Sequence, residues 1–302
     1  MKVSVIICTY SMDRLQDTIE AIDSIFLQTY PDIEIIASID HSQEVLSALK
    51  KVYSDRISYA INNDIVGLSD TRNAGIKKAS GDIIAFIDDD AVADKKWIET
   101  LVVNYSDPSV VAVGGKLIPV WNDNRPWWFP EELDWIVGCT YKGHPQGKTE
   151  VRNLIGCNMS FCSKVFKQVG YFSTNIGRLK KIPLAGEEME YCIRIGSNMP
   201  KNDIIYDPDA IVYHKVDKYR GRLKYLLKRS FAEGISKRII KNNLEVQNLL
   251  YTENNYIKFL LFNSIKSYLL MVVLIREPIK NLMKLLAIFL SVLTVACGYI
   301  KK

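Results

Sequence analysis

Short apolar runs rich in β-branched residues recur through the first third of the chain, and segments with helical periodicity separate them. The runs are short enough for buried strands, and they lie at residues 3–9, 33–39, 57–61, 83–87 and 110–114. Apolar residues spaced three or four apart predict amphipathic helices at residues 15–26, 44–53, 68–79 and 96–105. This alternation predicts an α/β fold, with a mostly parallel sheet, flanking helices and right-handed crossovers. Ligands bind such sheets beyond the carboxyl ends of the strands.

The pattern changes in the rest of the chain. Residues 115–210 are irregular and aromatic, which indicates an extension of the same domain. Residues 214–241 predict a basic helix in which leucine, isoleucine and phenylalanine alternate with lysine and arginine. Two apolar stretches follow, at residues 257–275 and 282–300, and Arg276-Glu277-Pro278 separates them.

Charge is distributed unevenly along the 302 residues. The formal net charge is +5, from 39 Lys and Arg against 34 Asp and Glu. Up to Ala210 there are 22 basic and 29 acidic residues, and after it there are 17 and 5. A nucleic-acid-binding protein would carry basic residues across its folded surface, so no nucleic-acid partner is predicted. A basic C-terminal part instead suits contact with anionic lipid or phosphate, which predicts a partner at a membrane.

The six cysteines and the N-terminal residues bear on the compartment. The cysteines show no CxxC spacing, and a chain of this length needs no disulfide framework, so reduced thiols facing the cytosol are expected. The opening apolar run is too short for the core of a signal peptide, and no cleavage site follows it. We therefore expect the N-terminal part to stay in the cytoplasm.

The strongest chemical signal is Asp88-Asp89-Asp90, which follows directly on the apolar residues 83–87. Side chains alternate along a strand, so Asp88 and Asp90 are expected on one side and Asp89 on the other. Two carboxylates facing one point suit Mg²⁺ or Mn²⁺, which complete their coordination with phosphate oxygens and water. The run predicts a divalent cation bridging a diphosphate; a solvated acidic turn is the alternative.

Several motifs occur in the order found in one enzyme family. They are the opening VSVIICTY, then Gln28-Thr29-Tyr30, GLSDTRNAG at residues 67–75 and GDIIAFIDDDA at residues 81–91. Together they resemble family 2 glycosyltransferases of the GT-A fold, a Rossmann-like α/β fold, over residues 1–240. The resemblance implies a nucleotide-diphosphate-sugar donor and a transferase reaction.

The resemblance also implies roles for individual residues at the donor side. Thr9 and Tyr10 would lie near the nucleotide, and Asp40 would contact the base or ribose. Asp88 would contact ribose or metal, and Asp90 would bind the metal. Many relatives carry an Asp-Asp-Gly-Ser-type stretch where this chain has Asp40-His41-Ser42-Gln43, so base selectivity stays open.

Two further residues, Arg72 and His214, have two interpretations each. Arg72 and Asn73 match the family's Arg-Asn pair, in which a guanidinium presents a forked donor set to a diphosphate and an amide holds the loop. An ion pair on the helix surface is the alternative for Arg72. His214 follows an apolar segment, where similar enzymes place a histidine near the metal or diphosphate, and a structural histidine is the alternative.

The run Glu187-Glu188 belongs to a second motif, GEEMEYCIR at residues 186–194, which resembles the family's GED-type motif. In an inverting transfer a carboxylate deprotonates the acceptor hydroxyl as that hydroxyl attacks the anomeric carbon. The resemblance implies Glu188 as this base, at the position usually held by aspartate, and Glu187 is the alternative. A charged helix start without catalytic function is also compatible with the residues.

The aromatic stretch at residues 127–135, with VGCTY and the Asn158–Phe161 segment, resembles glucuronosyltransferases of archaeal N-glycan assembly. Those enzymes extend a sugar linked to dolichyl phosphate. Aromatic residues in an irregular segment can stack on sugar rings, enter a membrane interface or form core, and the sequence leaves these alternatives open.

The C-terminal tail is expected to be helical and associated with the membrane. Residues 282–300 would form a helix about 28 Å long, against a hydrocarbon core of about 30 Å. Residues 257–275 contain Lys258, Asn263 and Lys266, which are costly at the bilayer centre, so we interpret this stretch as interfacial. A two-span hairpin and a soluble helical subdomain are the alternatives. Basic residues at 215–241 favour a catalytic domain facing the cytoplasm.

The predicted protein is thus a metal-dependent inverting glycosyltransferase at the cell membrane. It would transfer a sugar, glucuronic acid in the narrower resemblance, from a nucleotide-diphosphate donor to a polyprenyl- or dolichyl-phosphate-linked glycan. The catalytic domain would cover residues 1–240, with a nucleotide-sugar-binding half at 1–114 and an acceptor-side half at 115–240, and the tail would cover 241–302. A polyprenyl-phosphate sugar synthase and a catalytically silent, membrane-tethered nucleotide-sugar-binding protein are the alternatives.

Overall fold

The computed structural model describes residues 1–174, 186–243 and 251–301. These residues fall into two compact units. The first comprises residues 1–118, 146–174 and 187–214, and the second comprises 119–145, 186, 215–243 and 251–301. The predicted domain boundary at residue 240 stays a prediction.

A nine-stranded sheet forms within the described residues. Its strands are β1 (Val3–Thr9), β2 (Ile33–Asp40), β3 (Ser58–Asn62), β4 (Ile83–Asp88), β5 (Ala91–Ala93), β6 (Val110–Trp121), β7 (Thr149–Glu150), β8 (Met159–Cys162) and β9 (Asp203–Val216). The order is β3-β2-β1-β4-β8-β6-β9-β5, and β7 pairs with β9. β1 is parallel to β2 and β4, and β2 is parallel to β3. β8 is antiparallel to β4 and β6, and β9 is antiparallel to β5 and β7.

The α/β fold class is confirmed, and the sheet divides into a parallel and an antiparallel half. The four parallel strands are those whose apolar runs and intervening helices the sequence predicts. The antiparallel strands come largely from the region without clear periodicity, where β7, β8 and β9 had no prediction. They lack crossover helices because antiparallel neighbours need none.

Six helices accompany the sheet in the first unit: α1 (Leu15–Phe26), α2 (Gln43–Tyr53), α3 (Leu68–Lys78), α4 (Trp97–Asn104), α5 (Ser163–Gln168) and α6 (Glu187–Asn198). α2 begins after Ser42, whose hydroxyl accepts from the Val45 amide, as expected for a helix N-cap. The first four helices match the predicted spans to within a few residues. α5 and α6 lie in the region that the sequence left irregular.

An aromatic cluster fixes α6 against the sheet. The Phe172 ring lies 5.6 Å from Phe86 on β4 and 4.5 Å from Tyr191 on α6. Phe161 on β8 lies 5.3 Å from Tyr191. All four rings are buried. Buried aromatic side chains contribute large apolar areas to a core, so this cluster holds the N-terminal end of α6 in place.

Asn158 connects three segments beneath the carboxyl ends of the strands. Its fully buried side chain accepts from the Trp97 indole at 2.8 Å and donates to the carbonyls of Ala210 and Lys116 at 2.8 and 3.1 Å. The Asn158 amide also donates to the Ile155 carbonyl, which closes a tight turn.

The second unit contains a 3₁₀ segment at Glu131–Val137 and the helices α7 (Leu223–Asn243), α8 (Tyr251–Phe259), α9 (Lys266–Val273) and α10 (Pro278–Ile300). A π-helical stretch, Leu260–Ile265, joins α8 to α9. In the aromatic stretch, Phe129 is buried whereas Trp127 is 53% exposed. The stretch therefore contributes both to the core and to the surface.

The C-terminal helices expose an apolar surface. Tyr251–Val273 and Pro278–Ile300 each have 23 residues, with mean hydropathies of 1.4 and 2.0, long and apolar enough to cross a membrane. Only 11% and 22% of their most apolar windows are buried, which is low for core helices of a soluble protein. Large apolar side chains that are exposed there include those of Phe262, Val273, Ile275, Ile279 and Phe289.

We predict that Asn158→Ala lowers the free energy of unfolding by about 2–4 kcal/mol, because it removes the hydrogen bonds that the Asn158 side chain makes with the buried Trp97 indole and with the carbonyls of Ala210 and Lys116. Urea unfolding followed by tryptophan fluorescence would measure this change. Asn198→Ala, which removes an exposed side chain from α6, serves as the control and should change the value by less than about 0.5 kcal/mol. Equal stability of the two variants would contradict the role given to Asn158.

Candidate functional site

Three consecutive carboxylates lie at the carboxyl end of β4. β4 ends at Asp88, whose side chain is partly exposed, and Asp89 and Asp90 lie in the following turn and are buried. The alternation of side chains between the two faces of β4 ends at this turn. Asp89 therefore does not point away from Asp90: one nitrogen of Arg14, Nη1, donates to Asp89 Oδ1 at 2.8 Å and to Asp90 Oδ2 at 2.9 Å.

Burial sets the electrostatics of this turn. It raises the pKa of Asp89 to about 7, although the Arg14 guanidinium opposes the shift. Burial alone would lower the pKa of Arg14, but the carboxylates of Asp89 and Asp90 raise it above its ordinary value. Arg14 thus remains charged and compensates two adjacent acids.

His214 and Cys157 complete a cluster of metal-ligating atoms with Asp88. His214 lies on β9 opposite Ala91 of β5, and it is buried. A carboxylate oxygen of Asp88, Cys157 Sγ and a ring nitrogen of His214 all lie within 4.8 Å of one another. His214 Nε2 is also 3.3 Å from Asp90 Oδ1. The structure thereby brings both Asp88 and Asp90 close to His214.

This donor set fits a divalent cation. Two carboxylates and an imidazole are ligands that Mn²⁺ and similar ions accept. Asp89 Oδ2 is buried and has no hydrogen-bond partner among the residues that the structure describes.

Arg72 and Asn73 lie on α3, on the other side of Asp88. Arg72 is 2% exposed; its Nη1 donates to Glu187 Oε1 at 3.1 Å, and its Nη2 lies 3.8 Å from Asp88 Oδ1. Burial would lower the pKa of Arg72, but Glu187 and Asp88 raise it. Asn73 exchanges two hydrogen bonds with the backbone of Phe172. The ion pair that Arg72 forms is therefore buried and does not lie on the helix surface. Asn73 holds the loop that contains Phe172.

The two candidate bases differ in their surroundings. Glu187 and Glu188 open α6, and Glu187 is buried against Arg72 whereas Glu188 is half-buried. A Cβ at Gly156 would lie 2.9 Å from Arg72 Nη2 and 3.7 Å from the carboxyl carbon of Glu188. The backbone at Gly156 therefore passes close to both side chains, and a larger residue there would displace the Arg72 guanidinium while contacting Glu188.

The predicted nucleotide residues lie at the ends of β1 and β2. The Thr9 hydroxyl is buried 3.0 Å from the Thr18 hydroxyl. Tyr10 is 56% exposed, and the Arg14 guanidinium lies 5.8 Å from its ring centre. Asp40 accepts from Asn62 Nδ2 at 2.9 Å and from the Gly67 amide at 3.1 Å. Asp40 thus fixes the loop that leads into α3.

Sequence reasoning missed Arg14, Gly156 and Cys157. Arg14 had a weak signal, since it stands at the start of the first predicted helix, next to the end of β1. Gly156 and Cys157 precede the Asn158–Phe161 segment that carries part of the resemblance, but their own spacing in the sequence does not indicate a functional site.

Comparisons with known proteins identify the family of this chain. The family model for glycosyl transferase family 2 matches residues 4–170. A glucosyl-dolichyl phosphate glucuronosyltransferase from Haloferax volcanii is 37% identical over 309 residues, covering 99% of this chain and 96% of the relative. The succinoglycan biosynthesis protein ExoM from Rhizobium meliloti is 22% identical and covers 76% of this chain and 71% of its own length.

A solved structure shares the fold. The mannosyltransferase PcManGT from Pyrobaculum calidifontis, in complex with GDP-Man and Mn²⁺, superposes with a TM-score of 0.63. The match has 16% sequence identity and covers 99% of this chain and 87% of the other. The fold is therefore that of GT-A enzymes. Because the family model covers more than half of the chain, and a relative above 30% identity covers nearly all of it, the chain belongs to glycosyl transferase family 2 and is a glycosyltransferase.

Proposed function

We propose that this enzyme transfers a sugar, glucuronic acid in the first instance, from a nucleotide-diphosphate donor to a glycan carried on dolichyl or polyprenyl phosphate. The similarity to the Haloferax glucuronosyltransferase carries the proposal, because it extends over 99% of this chain and so includes the C-terminal helices.

The donor would bind along the carboxyl ends of β1, β2 and β4. Thr9, Tyr10 and Asp40 stand where the base and ribose would lie, and Tyr10 offers an exposed ring for stacking. Arg72 faces Asp88 from a buried position, where a guanidinium can present several donors to a diphosphate. Asn73 keeps the neighbouring loop in place through Phe172.

Asp88, Asp90 and His214 would hold the divalent ion. When bound, such an ion neutralises the charge that develops on the departing diphosphate. Arg14 fixes the orientation of Asp90 through one carboxylate oxygen, and His214 approaches the other. The Mn²⁺ in the mannosyltransferase complex supports metal dependence here, and Mg²⁺ is the other candidate.

Glu188 is the proposed base, because Glu187 is engaged with Arg72. Its half-buried carboxylate would accept the proton of the acceptor hydroxyl as the oxygen attacks the anomeric carbon, and the diphosphate would leave on the opposite face. This direct displacement inverts the configuration at the sugar. Arg72 would stay charged throughout and hold Glu187 and Asp88 in position.

Membrane attachment would come from the exposed apolar surface of α8, α9 and α10. Exposed Leu270, Ile275 and Phe289 would contact lipid chains, and lysines such as Lys258 and Lys280 would meet the phosphate level. Basic residues of α7 favour a cytoplasmic catalytic unit. Both C-terminal helices are long and apolar enough to cross a membrane, so a two-helix hairpin is proposed beside the single span at residues 282–300.

For the reaction itself, we expect membrane-bound enzyme to form a glycosidic bond between a nucleotide-activated glucuronic acid and a short glucosyl polyprenyl phosphate. A chelator should abolish product, and Mn²⁺ or Mg²⁺ should restore it. Mass spectrometry of the products from a panel of nucleotide sugars measures this. Product on bare polyprenyl phosphate would identify a sugar-phosphate synthase, and no product with any donor would leave a silent binding protein.

For the catalytic residues, we expect Glu188→Gln to lower kcat by about 10²- to 10⁴-fold with an unchanged thermal midpoint. Asp90→Asn should lower kcat by about 10²-fold or more. Glu187→Gln should mainly lower the thermal midpoint, because it weakens a buried ion pair. Steady-state kinetics and thermal unfolding measure both effects.

The matched control for those variants is Glu190→Gln on the same helix, where Glu190 is also buried but pairs with Arg194 instead of Arg72. It should keep nearly all of the activity. A large kcat loss in Glu187→Gln, with little change in Glu188→Gln, would transfer the role of base to Glu187.

For membrane attachment, we expect the chain to stay in the membrane fraction after alkaline carbonate washing. The double variant Leu270→Asp/Phe289→Asp should move it towards the soluble fraction, since each buried charge costs about 2.5–3.5 kcal/mol in the bilayer. Val103→Asp, at an exposed apolar residue of α4 in the first unit, is the control. Equal partitioning of all three proteins would exclude lipid contact by this surface.

A further inference from the structure

One thiol lies among the oxygen and nitrogen atoms that would hold the ion. Cys157 Sγ is within 4.8 Å of both an Asp88 carboxylate oxygen and a ring nitrogen of His214. Cys157 is 4% exposed and His214 is 3% exposed, while the Asp88 side chain is partly open to solvent. A ligand could therefore enter on the Asp88 side and meet three different donor atoms.

The backbone holds this thiol in a fixed position. Cys157 stands between Gly156 and Asn158 in the turn that the Asn158 amide closes on the Ile155 carbonyl at 2.9 Å. The Asn158 side chain is tied to Trp97 and Ala210. On the other side, Gly156 packs against Arg72 so closely that an added Cβ would lie 2.9 Å from Nη2. The position of Cys157 is thus determined by the turn, and little movement is open to it.

The chemistry of the three atoms distinguishes among metal ions. Mg²⁺ takes hard oxygen ligands and avoids sulfur, whereas Zn²⁺ binds cysteine, histidine and carboxylate together, with four ligands in a tetrahedral arrangement. Softer ions such as Cd²⁺ favour thiolate still more. A site built only for Mg²⁺ would gain nothing from a thiol at this distance.

We propose that Cys157 is a metal ligand, together with Asp88 and His214, and that the site therefore binds a thiophilic divalent ion, Zn²⁺ or Cd²⁺, in preference to Mg²⁺. On coordination the thiol releases its proton to solvent, and the sulfur binds as thiolate. The proposal shares Asp88 and His214 with the metal site of the proposed function. It concerns metal selectivity, which can be measured without sugar donor or acceptor.

The test uses the full chain in detergent, carrying Cys297→Ser to remove the exposed thiol of α10. Cd²⁺ is titrated in while the ultraviolet absorption of the cadmium–thiolate bond is followed, and Zn²⁺ and Mg²⁺ are titrated by calorimetry. We expect one equivalent of Cd²⁺ to produce the absorption, and Zn²⁺ to bind more tightly than Mg²⁺. Cys157→Ser should remove the absorption and weaken Zn²⁺ binding by about 10- to 100-fold.

Two variants keep the test decisive. Cys162→Ser removes a half-buried thiol from the end of β8 and should leave the absorption unchanged. Asp88→Asn keeps Cys157 but removes a charged ligand, so it should weaken Cd²⁺ binding even if Cys157→Ser proves unable to fold. Absorption that survives in Cys157→Ser, Cd²⁺ affinity unaffected by Asp88→Asn, or equal affinity for Zn²⁺ and Mg²⁺ would overturn the proposal. Because no sugar is present, loss of transferase function in a separate assay would leave this result untouched.

Discussion

The compensation of buried negative charge at the carboxyl end of β4 is the constraint on which the site depends. Asp89 and Asp90 lie in a water-poor turn next to Asp88, and desolvation penalises each charge. Two arginines meet this cluster from opposite directions. Arg14 binds Asp89 and Asp90 through a single nitrogen, and Arg72 approaches Asp88 from beneath α3. Each of the three carboxylates thus has a guanidinium nearby.

The same compensation joins elements that are distant in the sequence. Arg72 connects α3 to β4 through Asp88 and to α6 through Glu187. The aromatic cluster around Phe172 reinforces this connection, because it packs α6 onto β4 and lies 5.6 Å beneath the Arg72 guanidinium. The motif that carries the proposed base is therefore held at a set distance from the motif that carries the proposed metal ligands.

Much of this arrangement could be predicted from the sequence, and the rest could not for physical reasons. Periodicity located the parallel strands and their helices because each buries a continuous apolar face. The acidic run was recognisable because it directly follows a buried strand. The hydrogen bond of Arg14 to Asp90 and the proximity of Cys157 to His214 depend on the three-dimensional course of the loops that carry these residues. The spacing of residues along the sequence does not predict such contacts. The antiparallel half of the sheet also lacks the alternation of strands with helices from which the parallel half could be predicted.

The two neighbouring glutamates at the start of α6 have different proposed roles, one structural and one chemical. Successive residues on an α-helix point about 100° apart, so Glu187 and Glu188 point in different directions. Glu187 turns towards the buried guanidinium of Arg72, where its charge is needed to offset that cation. Glu188 stays half-buried beside the Gly156 backbone. An acid already committed to a buried ion pair is a poor proton acceptor, because protonation would leave its partner uncompensated. The pairing of Glu187 with Arg72 is thus what makes Glu188 the better candidate for the base.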